Sequence, residues 1–290
     1  MWLILSLEGR KRDSYLLNEL SLFSGYGGFI LGLRLAGLLV RTVGYVEIES
    51  YCQEIIKARI RDGFLDDAPI FGDIRLALST SQLHQFRGLV NIVTAGFPCQ
   101  PHSHAGRRKG ADDSRNLWPE TLECVRQVAP HYVLLENVPG ILSNQYAGTV
   151  IGQLAEIGYD CIWDCIPAAS AGAPHLRWRW WCMAYTKGMD GKRSYAQEQH
   201  IYQHDRVSSN DSVANKYNEI GKWPPLVGDI AGWDRVLERQ PQLTPIFPRT
   251  FPFKSDVHGV ADGVAHRVDR LKAIGNGIVP AVVAKFLKGE

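Results

Sequence analysis

The sequence contains no apolar run long enough to cross a membrane. Its apolar start, Met1 to Leu7, stops at Glu8 and is too short for a signal or spanning segment, so it reads as an extension ahead of the fold. A membrane partner is therefore not expected, and a cytoplasmic protein is. There is no C-x-x-C pair: Cys52, Cys99, Cys124, Cys161, Cys165 and Cys182 are scattered, and no His or Cys cluster completes a zinc set around Cys161 and Cys165. Free thiols in a reducing compartment and no metal follow as expectations. No internal repeat or low-complexity tract is visible either. Charge of one sign is scarce. Lys and Arg number 32 against 30 Asp and Glu, a net +2, so a basic surface for a polyanion has to be local.

What is present is ordinary globular material. Hydrophobic residues make up 45% and charged residues 21% of 290, enough for one large domain or a medium one with a small companion. Tyr15 to Phe23 reads as a strand, running into Phe23-Ser24-Gly25-Tyr26-Gly27-Gly28 and then a helical pattern to Gly37. Strand, glycine turn and helix let a ligand approach backbone N–H groups, although tight structural turns share this pattern. A second strand, Thr42 to Val46, ends at Glu47. A carboxylate about 20 residues beyond the turn suits a ribose diol, or else is a solvated surface acid. A helix over about 51–61 leads to a third short strand, Ile70 to Ile74, with Asp73 at its end. An acid there can accept from an adenine amino group.

Leu89 to Thr94 forms a fourth strand, and Ala95-Gly96-Phe97-Pro98-Cys99-Gln100-Pro101 follows at its tip, where open α/β folds place their chemistry. Alone, Cys99 could be one more buried small hydrophobe. Basic, glycine-punctuated Arg107-Arg108-Lys109-Gly110 comes next, then a helix from about Glu120 to Val128 with Asp113 or Ser114 as its N-cap. A fifth strand from His131 ends in Glu136-Asn137-Val138. A carboxylate at such a tip needs a partner, because burying it unpaired is costly. It is either half of a structural ion pair or, beside Cys99, a catalytic acid. After a helix over 146–157 and a strand over 159–166, His175, Arg177 and Arg179 alternate with Leu176, Trp178 and Trp180. As a strand this gives a polar face and an apolar one, either an active-site wall or the outside of an edge strand. From Lys187 to Asp256 the periodicity lapses, prolines interrupt, and ten basic residues meet nine acidic ones. Order returns at His266–Lys272, a helical pattern, and at the turn Ala273 to Val279. Pro280 then opens a terminal helix to Leu287.

These residues, from about Leu16 to Leu287, resemble the ordered motifs of the C5-cytosine DNA methyltransferases, of bacterial or phage type. Phe23 to Gly28 is similar to that family's S-adenosyl-L-methionine turn, Pro98-Cys99-Gln100 to its nucleophile loop and Glu136-Asn137-Val138 to its glutamate motif. Arg177-Trp178-Arg179 matches its R-x-R strand, and Gly275-Asn276-Gly277-Ile278-Val279-Pro280 its C-terminal motif. Two departures stand out: His175 occupies a place usually held by Gln, and 262–270 carries no R-x-L-T pattern.

The resemblance implies a doubly wound, mostly parallel, Rossmann-like sheet of the S-adenosylmethionine-dependent methyltransferase class, with a small irregular target-recognition region. It divides the chain into an extension (1–14), a catalytic and cofactor domain (15–186), the recognition region (187–257) and a returning segment (258–290). It implies a DNA (cytosine-5-)-methyltransferase that flips cytosine out of duplex DNA and attacks it through Cys99, assisted by Glu136, Arg177 and Arg179. Phe23, Ser24, Gly25, Gly27, Gly28, Glu47, Ile48, Asp73, Ile74, Pro98 and Asn276 would hold S-adenosyl-L-methionine, and Gln100, Ser103, Arg107 and Arg108 would touch double-stranded DNA. A cognate restriction endonuclease acting separately fits the same picture. Two other classes keep the fold: a transfer-RNA cytosine-5 methyltransferase, and a silent DNA-binding relative, which would lack Cys99 or Glu136. A nicotinamide dehydrogenase could use the glycine turn but gives Cys99, Glu136 and Arg179 no joint task, and a second nucleotide-binding half is not seen.

Overall fold

The computed structural model describes residues 16–98, 116–143, 145–173, 175–186, 273 and 275–289. The 1–14 extension with Tyr15, Cys99 to Arg115 and the whole of 187–272 lie outside the described residues. The chain divides into two compact units. Among the described residues the first holds 16–167, 178–186 and 277–289, and the second holds 168–177 with 273, 275 and 276.

The first unit is built on a seven-stranded sheet. Strands β1 (Leu17–Leu22), β2 (Val40–Val46), β3 (Ile70–Phe71), β4 (Ile92–Ala95) and β5 (Tyr132–Asn137) run parallel. β6 (Tyr159–Pro167) and β7 (Trp178–Thr186) form an antiparallel pair, with β7 joined antiparallel to β5. The order β3-β2-β1-β4-β5-β7-β6 reverses its direction of growth between β1 and β4. In doubly wound sheets that switch, at the carboxyl ends of the strands, is where ligands bind. The helices are α1 (Gly28–Leu35), α2 (Ser50–Arg61), α3 (Ile74–Ser79), α4 (Trp118–Val128), α5 (Gly140–Ser143), α6 (Tyr146–Glu156) and α7 (Pro280–Lys288).

Period-2 alternation sorts the strand residues onto two faces. Leu20, Leu22, Val93, Ala95, Val133, Leu135, Trp180 and Cys182 join one apolar core with Leu122 and Val125 of α4 and Val150 and Leu154 of α6. The opposite face carries Glu19, Ser21, Thr94, Glu136 and Trp181. Helices α1 and α7 pack together there, and Trp181 meets Phe29 edge-on at 6.1 Å and Phe286 at 6.2 Å between ring centroids. The polar site residues are thus on the α1/α7 face.

The strands follow the expected pattern, with differences at three places. Asp73 does not end the short third strand expected over 70–74; β3 stops at Phe71, and Asp73 caps α3 by accepting from the Arg75 N–H at 2.9 Å. Helix α4 starts at Trp118 with Leu117 as N-cap and Pro119 in its first turn, so neither Asp113 nor Ser114 is the cap. The alternating stretch from His175 is not one strand. Arg177 has φ 37, in the left-handed region, and β7 begins only at Trp178. The period-2 face proposed for His175, Arg177 and Arg179 is therefore broken, and Leu176 and Trp178 are exposed rather than buried.

Candidate active site

The turn after β1 is shaped by the backbone. Phe23 takes φ 52, Gly25 φ 55 and Gly27 φ 85, the last as N-cap of α1. A non-glycine residue in the left-handed region is uncommon, and such strain gathers at ligand sites. Ser24 is buried and pins the turn, its hydroxyl donating to Ser21 O at 2.9 Å and its N–H to Val46 O at 3.2 Å. Above Gly25 there is open space where a side chain would begin.

Glu47, at the end of β2, is buried and closes on this turn. Its Oε2 accepts from Gly25 N–H at 2.7 Å and its Oε1 from Glu49 N–H at 2.8 Å. Burial raises its pKa, and the backbone N–H groups of Glu49 and Gly25 oppose that rise. Glu47 is thus no solvated surface acid; it organises the glycine turn itself. Asp73 keeps acceptor capacity beyond its cap bond, Ile48 is 63% exposed beside Glu47, and the Ile74 side chain belongs to the core. An open glycine turn, a buried carboxylate and a second acid at the next strand end suit an adenosyl group by their donor and acceptor chemistry.

At the β4 and β5 tips the second cluster forms. Glu136 is 9% exposed, and its Oε1 accepts from Arg179 Nε at 2.8 Å. The antiparallel register, with Glu136 opposite Trp181 and Asn137 opposite Trp180, brings Arg179 to that carboxylate. The ion pair and the candidate acid are the same residue. Next to it, a Cβ on Gly96 would lie 3.3 Å from Glu136 Oε2 and 3.4 Å from Ile278 Cδ1, tighter than ordinary contact. The strand leading to Cys99 therefore passes directly against the carboxylate. Two hydrogen bonds hold the approach: Asn137 Nδ2 donates to Phe97 O at 2.9 Å, and Leu117 N–H donates to Pro98 O at 3.2 Å.

Cys99, Gln100, Ser103, Arg107 and Arg108 fall outside the described residues. Arg177 and Asn276 belong to the second unit, where Arg177 Nη1 donates to Gly275 O at 2.8 Å and Asn276 is exposed. The first unit brings together Phe23, Ser24, Gly25 and Glu47 in one cluster and Glu136 with Arg179 in another. Sequence reasoning missed Gly96, Asn137 and Ile278 as parts of the site. Asn137 and Ile278 sat inside quoted motifs, but nothing in their spacing assigned them contacts.

Three of the other thiols, Cys124, Cys165 and Cys182, are poor nucleophiles. Burial pushes Cys124 up to about 12 and Cys165 up to about 11, and Cys182, hydrogen-bonded to Cys161 and buried, lies well above the ordinary thiol value. Among the described residues no cluster of His, Cys, Asp and Glu suits a metal ion, and no helix is long and apolar enough to cross a membrane.

A Rossmann-like sheet with its site at the switch between β1 and β4, a glycine turn and paired strand-tip carboxylates define an α/β fold of the S-adenosylmethionine-dependent methyltransferase class. Residues 17–231 match the family model of C-5 cytosine-specific DNA methylases, and the chain belongs to that family. Similar proteins include type II methyltransferase M.CviJI of Paramecium bursaria Chlorella virus IL3A, 34% identical over 170 residues, covering 58% of this chain and 43% of the relative. Type II methyltransferase M.NaeI of Lentzea aerocolonigenes is 31% identical over 263 residues, covering 85% and 54%. The chain spans about half the length of the curated relatives it matches. The fold is also that of the S. pombe Dnmt2 methyltransferase, with TM-score 0.55, 20% identity and coverage of 93% of this chain and 97% of that one.

Proposed function

We propose that the protein is a DNA (cytosine-5-)-methyltransferase that modifies a cytosine flipped out of double-stranded DNA. The observation that carries this reading is the Glu136–Arg179 pair at 2.8 Å beside Gly96, three residues ahead of Cys99. Carbon 5 of cytosine is a weak nucleophile until a thiolate adds at carbon 6. Cys99 makes that sulfur–carbon bond, and Glu136 stabilises the charge pushed into the ring at the pyrimidine nitrogen. Arg179 fixes the carboxylate by holding one oxygen. Bound S-adenosyl-L-methionine, held by the Phe23–Gly28 turn and Glu47, supplies the methyl group that carbon 5 takes up. Loss of the carbon 5 proton to a base then restores the ring double bond, and the bond to Cys99 breaks to release the thiolate.

Flipping costs a few kcal/mol of stacking and pairing. Gln100, Ser103, Arg107 and Arg108 are assigned to offsetting it through contacts with the extruded site and its phosphates. Residues 187–257 are assigned to target choice, 15–186 and 258–290 to catalysis and cofactor binding. Relatives named as type II methyltransferases support a restriction-modification setting, with an endonuclease acting separately on the same sequence in the cytoplasm. Bisulfite sequencing of DNA from cells producing the protein tests the reading. Protected cytosines in one sequence context are expected; DNA unchanged from the control, with methyl transfer found on transfer RNA instead, overturns the assignment to DNA.

A further inference from the structure

The residue between the two left-handed glycines of the turn, Tyr26, is not used by the reading above. Its hydroxyl donates to Ile278 O in the segment that enters α7. The chain is shaped around this bond from both sides. A Cβ on Gly277 would overlap the Tyr26 ring, so only glycine admits the ring over that peptide. A Cβ on Gly28 would lie 2.7 Å from Ile278 O and 2.8 Å from Ile278 Cβ, so the start of α1 also needs glycine to accept the segment. From there the Ile278 side chain reaches on to Gly96, with its Cδ1 3.4 Å from where a Cβ would stand, next to Glu136 Oε2.

We propose that Tyr26 is a positioning residue for cofactor binding: a latch that ties the cofactor turn to the Gly277–Ile278 peptide and so fixes both Gly25, which Glu47 holds, and the Ile278 wall beside Gly96. This rests on the reading of the Phe23–Gly28 turn as the S-adenosyl-L-methionine site. The turn is short and glycine-rich, so it has little stiffness of its own. Ser24 and Glu47 anchor its two sides, and Tyr26 is the side chain that anchors its crest to a separate element. Losing the hydroxyl leaves the ring and its packing in place but frees the crest.

The test is calorimetric binding of S-adenosyl-L-methionine to the full chain without DNA, with thermal melting of each variant. Tyr26→Phe should raise the dissociation constant about five- to tenfold, the size of one lost hydrogen bond. Its kcat for methyl transfer at saturating cofactor should stay within about twofold of the wild type, a split between binding and turnover that positioning of the turn requires. Gly277→Ala should weaken binding in the wild-type background but add nothing once Tyr26→Ala has removed the ring, because the clash is then gone. Tyr26→Phe binding as tightly as the wild type, or additive losses in the double variant, overturns the latch. A wild type that binds no S-adenosyl-L-methionine overturns the cofactor reading itself.

Discussion

Glu136 carries two requirements that pull against each other. As a buried carboxylate it needs a cation; in its proposed role it must also turn an oxygen toward the base. Arg179 holds Oε1 through its Nε at 2.8 Å, and Oε2 lies toward Gly96. Arg179→Ala should therefore lower kcat/KM by about 10²-fold, the usual size for loss of one preorganised electrostatic contact. Arg179→Lys should recover little, since a point charge does not reproduce the guanidinium Nε contact. Single-turnover methylation measures both. Glu47 makes a second test at this scale. Glu47→Ala removes acceptors from Gly25 and Glu49 together and should weaken S-adenosyl-L-methionine binding by roughly 1.5–3 kcal/mol. Glu47→Gln keeps one carbonyl oxygen for Gly25 and should fall between the two in calorimetry. The sequence already marked Glu136 as a strand-tip carboxylate needing a partner. Its partner was not legible, because an antiparallel return of β7 onto β5 is set by packing across more than forty residues, not by local pattern.

Among elements, β1 holds the least expected group. Glu19 is fully buried, its two oxygens accepting from Thr42 on β2 at 2.6 Å and Thr94 on β4 at 2.7 Å. Burial raises its pKa to about 7 despite those two hydroxyls, with Asp66 raising it further and Arg34 lowering it. The folded state thus binds a proton more tightly than the unfolded chain, whose Glu titrates near 4.5. The stability this contributes is complete below pH 4.5 and is lost as pH rises through about 7. Glu19→Gln should remove that slope, gaining on the wild type by on the order of 3 kcal/mol between pH 4.5 and 8 in urea denaturation. Equal pH slopes for the two proteins would show that Glu19 is not the titrating group. On the other side of the turn, a Cβ on Gly32 of α1 would come 2.8 Å from Pro280 O of α7. Gly32→Ala should destabilise by about 1–3 kcal/mol through overpacking. Most strands and helices were legible from apolar periodicity. Helix α3 was not, since Asp73 reads equally as a strand end or a cap, and the alternation from His175 to Trp180 imitated a strand that Arg177 breaks at φ 37.

For the whole molecule, chemistry and recognition are assigned to different stretches of chain. A sheet carrying Glu47 and Glu136 at its strand ends is assigned the reaction, and residues 187–257, where periodicity lapses, are assigned to reading the target. Substituting a polar side chain in 187–257 should relax or shift the methylated sequence at one position, each base contact being worth about 1–3 kcal/mol. Substituting Arg107 or Arg108 should instead weaken binding evenly across sequences and reduce the salt slope by roughly one unit per lost phosphate contact. Sequencing of methylated sites and binding titrations in salt separate the two effects. The central claim is the covalent step at Cys99. Duplex DNA with 5-fluorocytosine at the target, incubated with the protein and S-adenosyl-L-methionine, should give a stable adduct, because fluorine cannot leave carbon 5 as a cation. Mass spectrometry should place the new bond on Cys99, and Cys99→Ser should abolish it; an adduct that persists in Cys99→Ser would contradict the account.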